Sequence, residues 1–300
     1  MADAIPRDII DVISEKRLPP WDPLHIKVAP TGAAISRKQS PYLPYTPDEI
    51  IRETIASYQA GASAVHLHMR DDKGNPTTDL QVFRRVIQAI KEKCPDIIFD
   101  IPSVIGATEE EKLRPLTIPE VETTPLQPGP MIVGMAAVIR TPQQIGMALD
   151  FMLERNIVPE IAIHDLSHLA NAERLIIPKI QKPYYFNIVL GLEGSTYATP
   201  ANLLHTVERL PAGSKWMLTV AGRATLDMLA IAIILGGHVR VGMEDMVYLY
   251  GRQDEIIKSN VQIVAKMVEI AKAMNRGIAT PAQARQIFGF KKGPQKEGSR

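Results

Sequence analysis

Cysteine is almost missing: Cys94 is the single thiol in 300 residues. No intramolecular disulfide can form, and a reducing, cytoplasmic setting is expected. Lys91, Glu92, Lys93 and Pro95 around it read as a helix end running into a turn, so a structural role is expected for it. An excess of charge is missing too. A formal charge of +1 offers no footprint for nucleic acid or an anionic membrane, although a local basic cluster for a phosphorylated cofactor stays open. No apolar run reaches the roughly 18 residues of a spanning helix. The longest candidate, 226–235, is stopped by Gly236-Gly237, and the N-terminal stretch lacks the basic-then-apolar order of a signal peptide. No Gly-x-Gly-x-x-Gly turn follows an early strand, which argues against a dinucleotide-binding sheet.

What is present is apolar matter, 45% of the chain, in a repeating order. Strands are expected at 24–31, 63–69 and 97–101, with helices opening at Thr46-Pro47-Asp48-Glu49 and spanning 78–93. Prolines interrupt 109–135, where a short helix and a fourth strand within 121–135 are expected. Strands at 159–164, 184–190, 215–220 and 238–243 then alternate with helices at 142–154, 170–178, 200–210, 224–235 and 255–274. Parallel strands need crossover helices, and eight such units close into an α/β architecture, the (β/α)8 TIM barrel. The barrel is expected over residues 24–290. Residues 1–23 read as an N-terminal arm with a small helix at 8–16, and 291–300 as a disordered polar tail.

His66-Leu67-His68 falls at the carboxyl end of the second strand. Residues two apart on a strand face the same way, so both imidazoles are aimed into the barrel mouth, although the pair could also be plain polar residues at a strand end. The last strand, His238-Val239-Arg240-Val241-Gly242-Met243, ends in Glu244-Asp245, with Arg240, Gly242 and Glu244 on one alternating face. Barrel active sites sit at that carboxyl end, so His66, His68 and Glu244 can converge as an open zinc site. A helix cap and a surface ion pair are the alternative for the acidic pair.

Several segments are shared, in order and spacing, with a known family. These are Ala29-Pro30-Thr31-Gly32-Ala33, Leu43-Pro44-Tyr45-Thr46-Pro47-Asp48-Glu49-Ile50 and Ala60-Gly61-Ala62 leading to His66-Leu67-His68-Met69-Arg70-Asp71. Gly236–Asp245, Ser259-Asn260 and Ala279-Thr280-Pro281-Ala282-Gln283-Ala284-Arg285 complete the set. Over residues 25–290 the chain resembles the β-keto acid cleavage enzymes, zinc-containing homotetrameric barrels that react a 3-keto acid with acetyl-CoA to give acetoacetate and a new CoA thioester. The resemblance implies His66, His68 and Glu244 as zinc ligands and places Asp245 and Arg240 in the catalytic group. Removal of a proton from the acetyl-CoA methyl then needs a base, for which Asp245 is the candidate. Arg240 would orient it or donate to an oxyanion, a buried ion pair being the alternative for it.

The resemblance also puts Thr31, Ala34, Ser103 and Asp165 at substrate-binding positions. Ala34 stands where the amine-binding type carries glutamate, and Pro102 where a serine is usual, with Ser103 as a partial substitute. Pro130 replaces a hydroxyl residue, and Asp165 follows His164 where a glutamate is usual. These departures leave a second reading open: a hydrolase or aldolase-type lyase using the same metal on the same barrel. His164 and His168 could touch substrate or be ordinary loop residues. Gly191-Leu192-Glu193-Gly194 could admit the pantetheine arm or be a plain turn.

Overall fold

A computed structural model describes residues 20–133 and 136–293. The expected arm helix at 8–16 and most of the expected tail lie outside the described residues. Eight parallel strands form a closed barrel. In chain order they are β1 (Ile26–Val28), β2 (Ala64–His66), β3 (Ile98–Asp100) and β4 (Val121–Leu126), then, after the hairpin of β5 (Met131–Val133) and β6 (Ala136–Val138), β7 (Val158–Ile163), β8 (Tyr184–Leu190), β9 (Ser214–Val220) and β10 (His238–Val241). Around the barrel they run β1-β2-β3-β4-β7-β8-β9-β10 and back to β1. A second hairpin, β11 (Tyr248–Tyr250) with β12 (Glu255–Ile256), follows β10.

The helices are α1 (Pro47–Ala60), α2 (Leu80–Lys91), α3 (Glu109–Leu113), α4 (Pro142–Glu154), α5 (Leu166–Leu175), α6 (Pro200–Val207), α7 (Thr225–Ile234), α8 (Asn260–Ala273) and α9 (Pro281–Phe288). Thr-Pro opens α1, α4, α6 and α9: the threonine hydroxyl accepts a backbone N–H of the first turn, and the proline fills a position whose N–H has no helical acceptor. Such a cap is worth about 1 kcal/mol and fixes where each strand-to-helix loop ends. Two boundaries differ from expectation. Asp165 caps α5 through Ser167 and His168, so that helix starts earlier than 170. The stretch 255–259 pairs in the β11–β12 hairpin or leads out of it, so α8 starts later than 255.

Alternation sorts each strand's residues between two cores. Ile26 and Val28 of β1 belong to the large cluster shared with the helices, whereas Lys27 between them points into the barrel. At the amino end of the barrel a smaller cluster of Ala64, Ile98, Tyr185, Met217, Phe288 and Phe290 closes the floor, with α9 as the plug. The carboxyl end is left open. The β5–β6 hairpin was not expected and stands at that open end; the fourth barrel strand itself lies within the expected stretch.

Candidate metal and active site

Two elements deliver the ligand candidates. β2 carries His66 at its end and His68 just past it, with ring centroids 5.2 Å apart. The other element is not the strand continuation expected from alternation. β10 ends at Val241, and Gly242 turns the chain at φ 146°, where a Cβ would meet the Ala29 carbonyl oxygen at 2.1 Å. The turn that follows presents Glu244 to the histidines, with its backbone N–H donating to the Ala29 carbonyl at 3.2 Å. Gly32 is needed on the facing loop because a Cβ there would lie 2.5 Å from Glu244 Cγ. Asn260 locks the turn: its Oδ1 accepts from Met243 N at 2.9 Å while its Nδ2 donates to Pro30 O at 3.3 Å.

One donor atom from each of His66, His68 and Glu244 lies within 4.8 Å of the others, as a shared metal ion requires. Glu244 Oε1 is 3.4 Å from His66 Nε2 and 3.5 Å from His68 Nε2. Glu244 Oε2 and His68 Nδ1 are buried without any protein partner. His66 Nδ1 pairs with Asp100 Oδ2 at 2.9 Å, which leaves Nε2 for the ion. Asp100 in turn accepts from Lys27 Nζ at 2.5 Å. Lys27 also contacts Glu160, which accepts from Asn187 Nδ2 at 2.6 Å, and Asn187 Oδ1 accepts from Thr219 at 2.8 Å.

Charge supports the same fit. In this interior network Lys27 and Arg240 face Asp100, Glu160, Glu244 and Asp245, so with the histidines neutral, as metal ligands are, two more negative than positive groups remain. A divalent cation would balance them. The pull is visible in His66. Burial and Arg240 oppose its charge, but the Glu244 and Asp100 carboxylates outweigh both and raise it to about 9. Glu244 is drawn well below the usual carboxylate range: burial raises it, but Arg240, His66 and His68 together outweigh burial.

Arg240 grips both acids of the turn. Its Nε donates to Asp245 Oδ2 and its Nη2 to Asp245 Oδ1, each at 2.9 Å, and Nη2 reaches Glu244 Oε1 at 2.5 Å. Burial raises the Asp245 carboxyl, Arg240 pulls it down, and Glu244 adds to the rise, for a result of about 6. It is therefore mostly ionised near neutral pH yet more basic than an exposed aspartate.

These groups sit at the base of a cavity of about 890 Å³. Ala34 lines it, as do His164 and Leu192. Thr31, Ser103 and Asp165 do not line it. Thr31 Oγ1 accepts from Arg70 Nε at 3.1 Å, Ser103 is buried under Arg140, and Asp165 is occupied in capping α5. His168 is a buried structural residue whose Nε2 lies 2.9 Å from Pro130 O. Met217, Met228, Met243 and Cys94 are buried in the core.

Sequence reasoning missed Lys27, Asp100, Glu160 and Asn187. A signal was available: each is a lone polar residue inside an otherwise apolar strand. Strands of a parallel barrel are covered on both faces, so a charge there needs an interior partner. Gln127 and the hairpin residues Met131 and Val138, all of which line the cavity, were missed as well.

The description "beta-keto acid cleavage enzyme" matches residues 23–290. The 3-keto-5-aminohexanoate cleavage enzyme of Fusobacterium nucleatum is 41% identical over 90% of this chain and 98% of its own length. The enzyme of the same name from Acetoanaerobium sticklandii is 39% identical over 90% of this chain and 99% of its own. Among solved structures, apo ObcA superposes with a TM-score of 0.72 at 21% identity, covering 83% of this chain and 66% of that one, a likeness of fold. The chain belongs to the β-keto acid cleavage enzyme family.

Proposed function

Starting from that membership, we propose that the chain converts a 3-keto acid and acetyl-CoA into acetoacetate and a new acyl-CoA, with zinc held by His66, His68 and Glu244. The observation that carries this is the convergence of those three side chains beside the Arg240–Asp245 pair at the base of the cavity. When bound, zinc supplies a Lewis acid for the keto oxygen and carboxylate of the substrate.

Atom balance decides which proton must leave. Acetoacetate takes its acetyl group from acetyl-CoA and its CH2–COO⁻ from the keto acid. The new carbon–carbon bond therefore joins C2 of the keto acid to the thioester carbonyl. The old C2–C3 bond breaks as the CoA sulfur takes up the departing acyl group. The proton removed is on C2, not on the acetyl methyl expected from sequence, and it returns to C2 of acetoacetate at the end. Asp245 is the residue we assign to hold that proton. The two Arg240 contacts fix the direction of its carboxylate.

Two coarser expectations follow the same reading. A homotetramer is proposed from the family alone. A cytoplasmic location agrees with a single cysteine.

The test is acetoacetate release from zinc-loaded protein with 3-keto acids, with and without acetyl-CoA. Release only with both partners, lost with the metal in His66→Ala, is expected. Turnover of the keto acid without acetyl-CoA would overturn the reading in favour of a hydrolase or lyase.

A further inference from the structure

The cavity walls divide by chemistry along the strand order. β3, β4 and β7 are neighbours, and the loops after them with the β5–β6 hairpin form one arc. Its lining is Pro102, Val104, Ile105, Pro125, Met131 and Val138. The directly opposite arc is β9, β10 and β1. There the rim carries Lys38, Gln39 and Tyr248, with Arg223 paired to Asp254 and apolar Ala34 and Val247 beside them.

Polar groups that could recognise a substituent on the first arc are already engaged. Arg140 donates to the Ser103 carbonyl and, at 3.3 Å, to its hydroxyl, and its charge is paired with Glu109 at 2.9 Å; its Nη1 is buried without a partner, but the residue does not line the cavity. Asp165 Oδ1 accepts from Ser167 N at 2.7 Å and His168 N at 3.1 Å. The Pro130 carbonyl faces His168, and Pro102 has no N–H to offer. The two polar side chains left on the arc are neutral. Gln127 is one, with a buried Oε1 that has no partner. The other is His164, which burial first, then His168, lowers to about 4. Of the acids lining the cavity, Glu244 and Asp245 are bound by Arg240, and Glu193 is exposed, where a counter-charge is worth little.

From this partition we infer that the 3-keto acid carries an uncharged, mainly hydrocarbon acyl group, lodged on the β3–β4–β7 arc. The inference rests on the proposed reaction, which places the carboxylate and keto group at the metal and leaves the acyl chain to that arc. Neither an ammonium nor a second carboxylate on the chain would find an opposite charge there, and each would lose its water on entry. The more polar rim opposite, with Lys38 on it, is left for the phosphorylated co-substrate.

Three six-carbon acids separate the possibilities: 3-oxohexanoate, its 5-amino derivative 3-keto-5-aminohexanoate, and 3-oxoadipate. With zinc-loaded protein and acetyl-CoA, kcat/KM for 3-oxohexanoate should exceed that of either charged acid by on the order of 100-fold. Calorimetric affinity of the zinc-loaded protein for each acid, without acetyl-CoA, should follow the same order. A charged acid that matches or beats 3-oxohexanoate in both measurements overturns the inference and leaves the reaction standing. Absence of acetoacetate from all three overturns the proposed reaction, and the affinity order then decides the inference alone. V104D should lower the preference for the neutral acid over the amino acid at least 10-fold, and Q127E, a smaller change of shape, should act in the same direction. Unchanged ratios in both variants would place the acyl group elsewhere.

Discussion

Two histidine pairs lie at opposite ends of the same barrel interior, and they have opposite electrostatic fates. At the mouth, His66 and His68 face Glu244, and His66 also pairs with Asp100. At the floor, His25 and His238 pack edge-on against Phe288, each with ring centroids 5.0 Å from it. Both pairs are buried. His66 is nonetheless raised to about 9 by two carboxylates, whereas burial and Lys27 lower His25 to about 3. Burial, His25 and Arg276 lower His238 well below its ordinary value. Histidine type and depth are the same, so the neighbouring acids decide which pair attracts a cation. The floor pair has partners but no acid: His25 Nδ1 meets Ser63 Oγ at 2.7 Å and its backbone N–H donates to His238 Nδ1 at 3.0 Å, while His25 Nε2 is buried without a partner and packs against Phe288. The floor pair is structural.

The contrast can be broken most sharply at the mouth. H66A and E244Q should each lose bound zinc and lower acetoacetate formation by on the order of 1,000-fold, whereas H238N should keep both. Metal analysis beside the rate assay checks this, and full zinc with full rate in E244Q would remove Glu244 from the site. Next in size is Lys27, the cation between the two ends. Replacing it in K27M removes the cation that Asp100 and Glu160 share and leaves them only His66 and Asn187, and denaturant melts should show a loss of about 3–5 kcal/mol. Adding D100N and E160Q to K27M should recover part of it. A K27M protein as stable as the parent would mean that the carboxylates share a proton instead.

Asp100 tests whether the mouth pair depends on its supporting carboxylate. D100N should weaken zinc about 10–100-fold in competition with a chelator while leaving the fold's melting behaviour closer to the parent than K27M does. Unchanged zinc affinity would make the Asp100 contact incidental. The smallest effect is expected at the floor. His25 has a folded pKa of about 3 against 6.5 for the free side chain, so the unfolded chain binds the proton that the folded chain refuses. Stability should therefore fall as pH drops below 6.5, by about 1.4 kcal/mol from this group at pH 5.5. H25N should show a shallower decline over that window, and identical acid profiles would exclude His25 from it.

The residues differ in how legible they were. His66 and His68 could be read because a two-residue spacing on a strand fixes a common face without reference to the rest of the chain. Glu244 was read correctly as converging, but through alternation, whereas a glycine turn locked by Asn260 delivers it. Lys27, Asp100 and Glu160 went unread because each finds its partner across the barrel rather than along the chain. Ser103 and Asp165 occupied plausible positions, yet neighbours that sequence spacing does not reveal had turned them to Arg140 and to the α5 cap. The β5–β6 hairpin was hidden by prolines and glycine that read simply as irregular chain.

The amino-acid order by itself determined the alternation of strands and helices, the Thr-Pro starts of the helices, and the pairing of two histidines on one strand end. All of these depend on periods and caps a few residues long. Closure of the barrel decided everything that depends on opposing strands: the Asp100–Lys27–Glu160 chain, the excess of acids at the mouth, and the apolar arc facing a more polar rim. Those properties are sums over side chains brought together from distant parts of the chain. Coulombic and desolvation energies depend on separation in space, and only folding sets it.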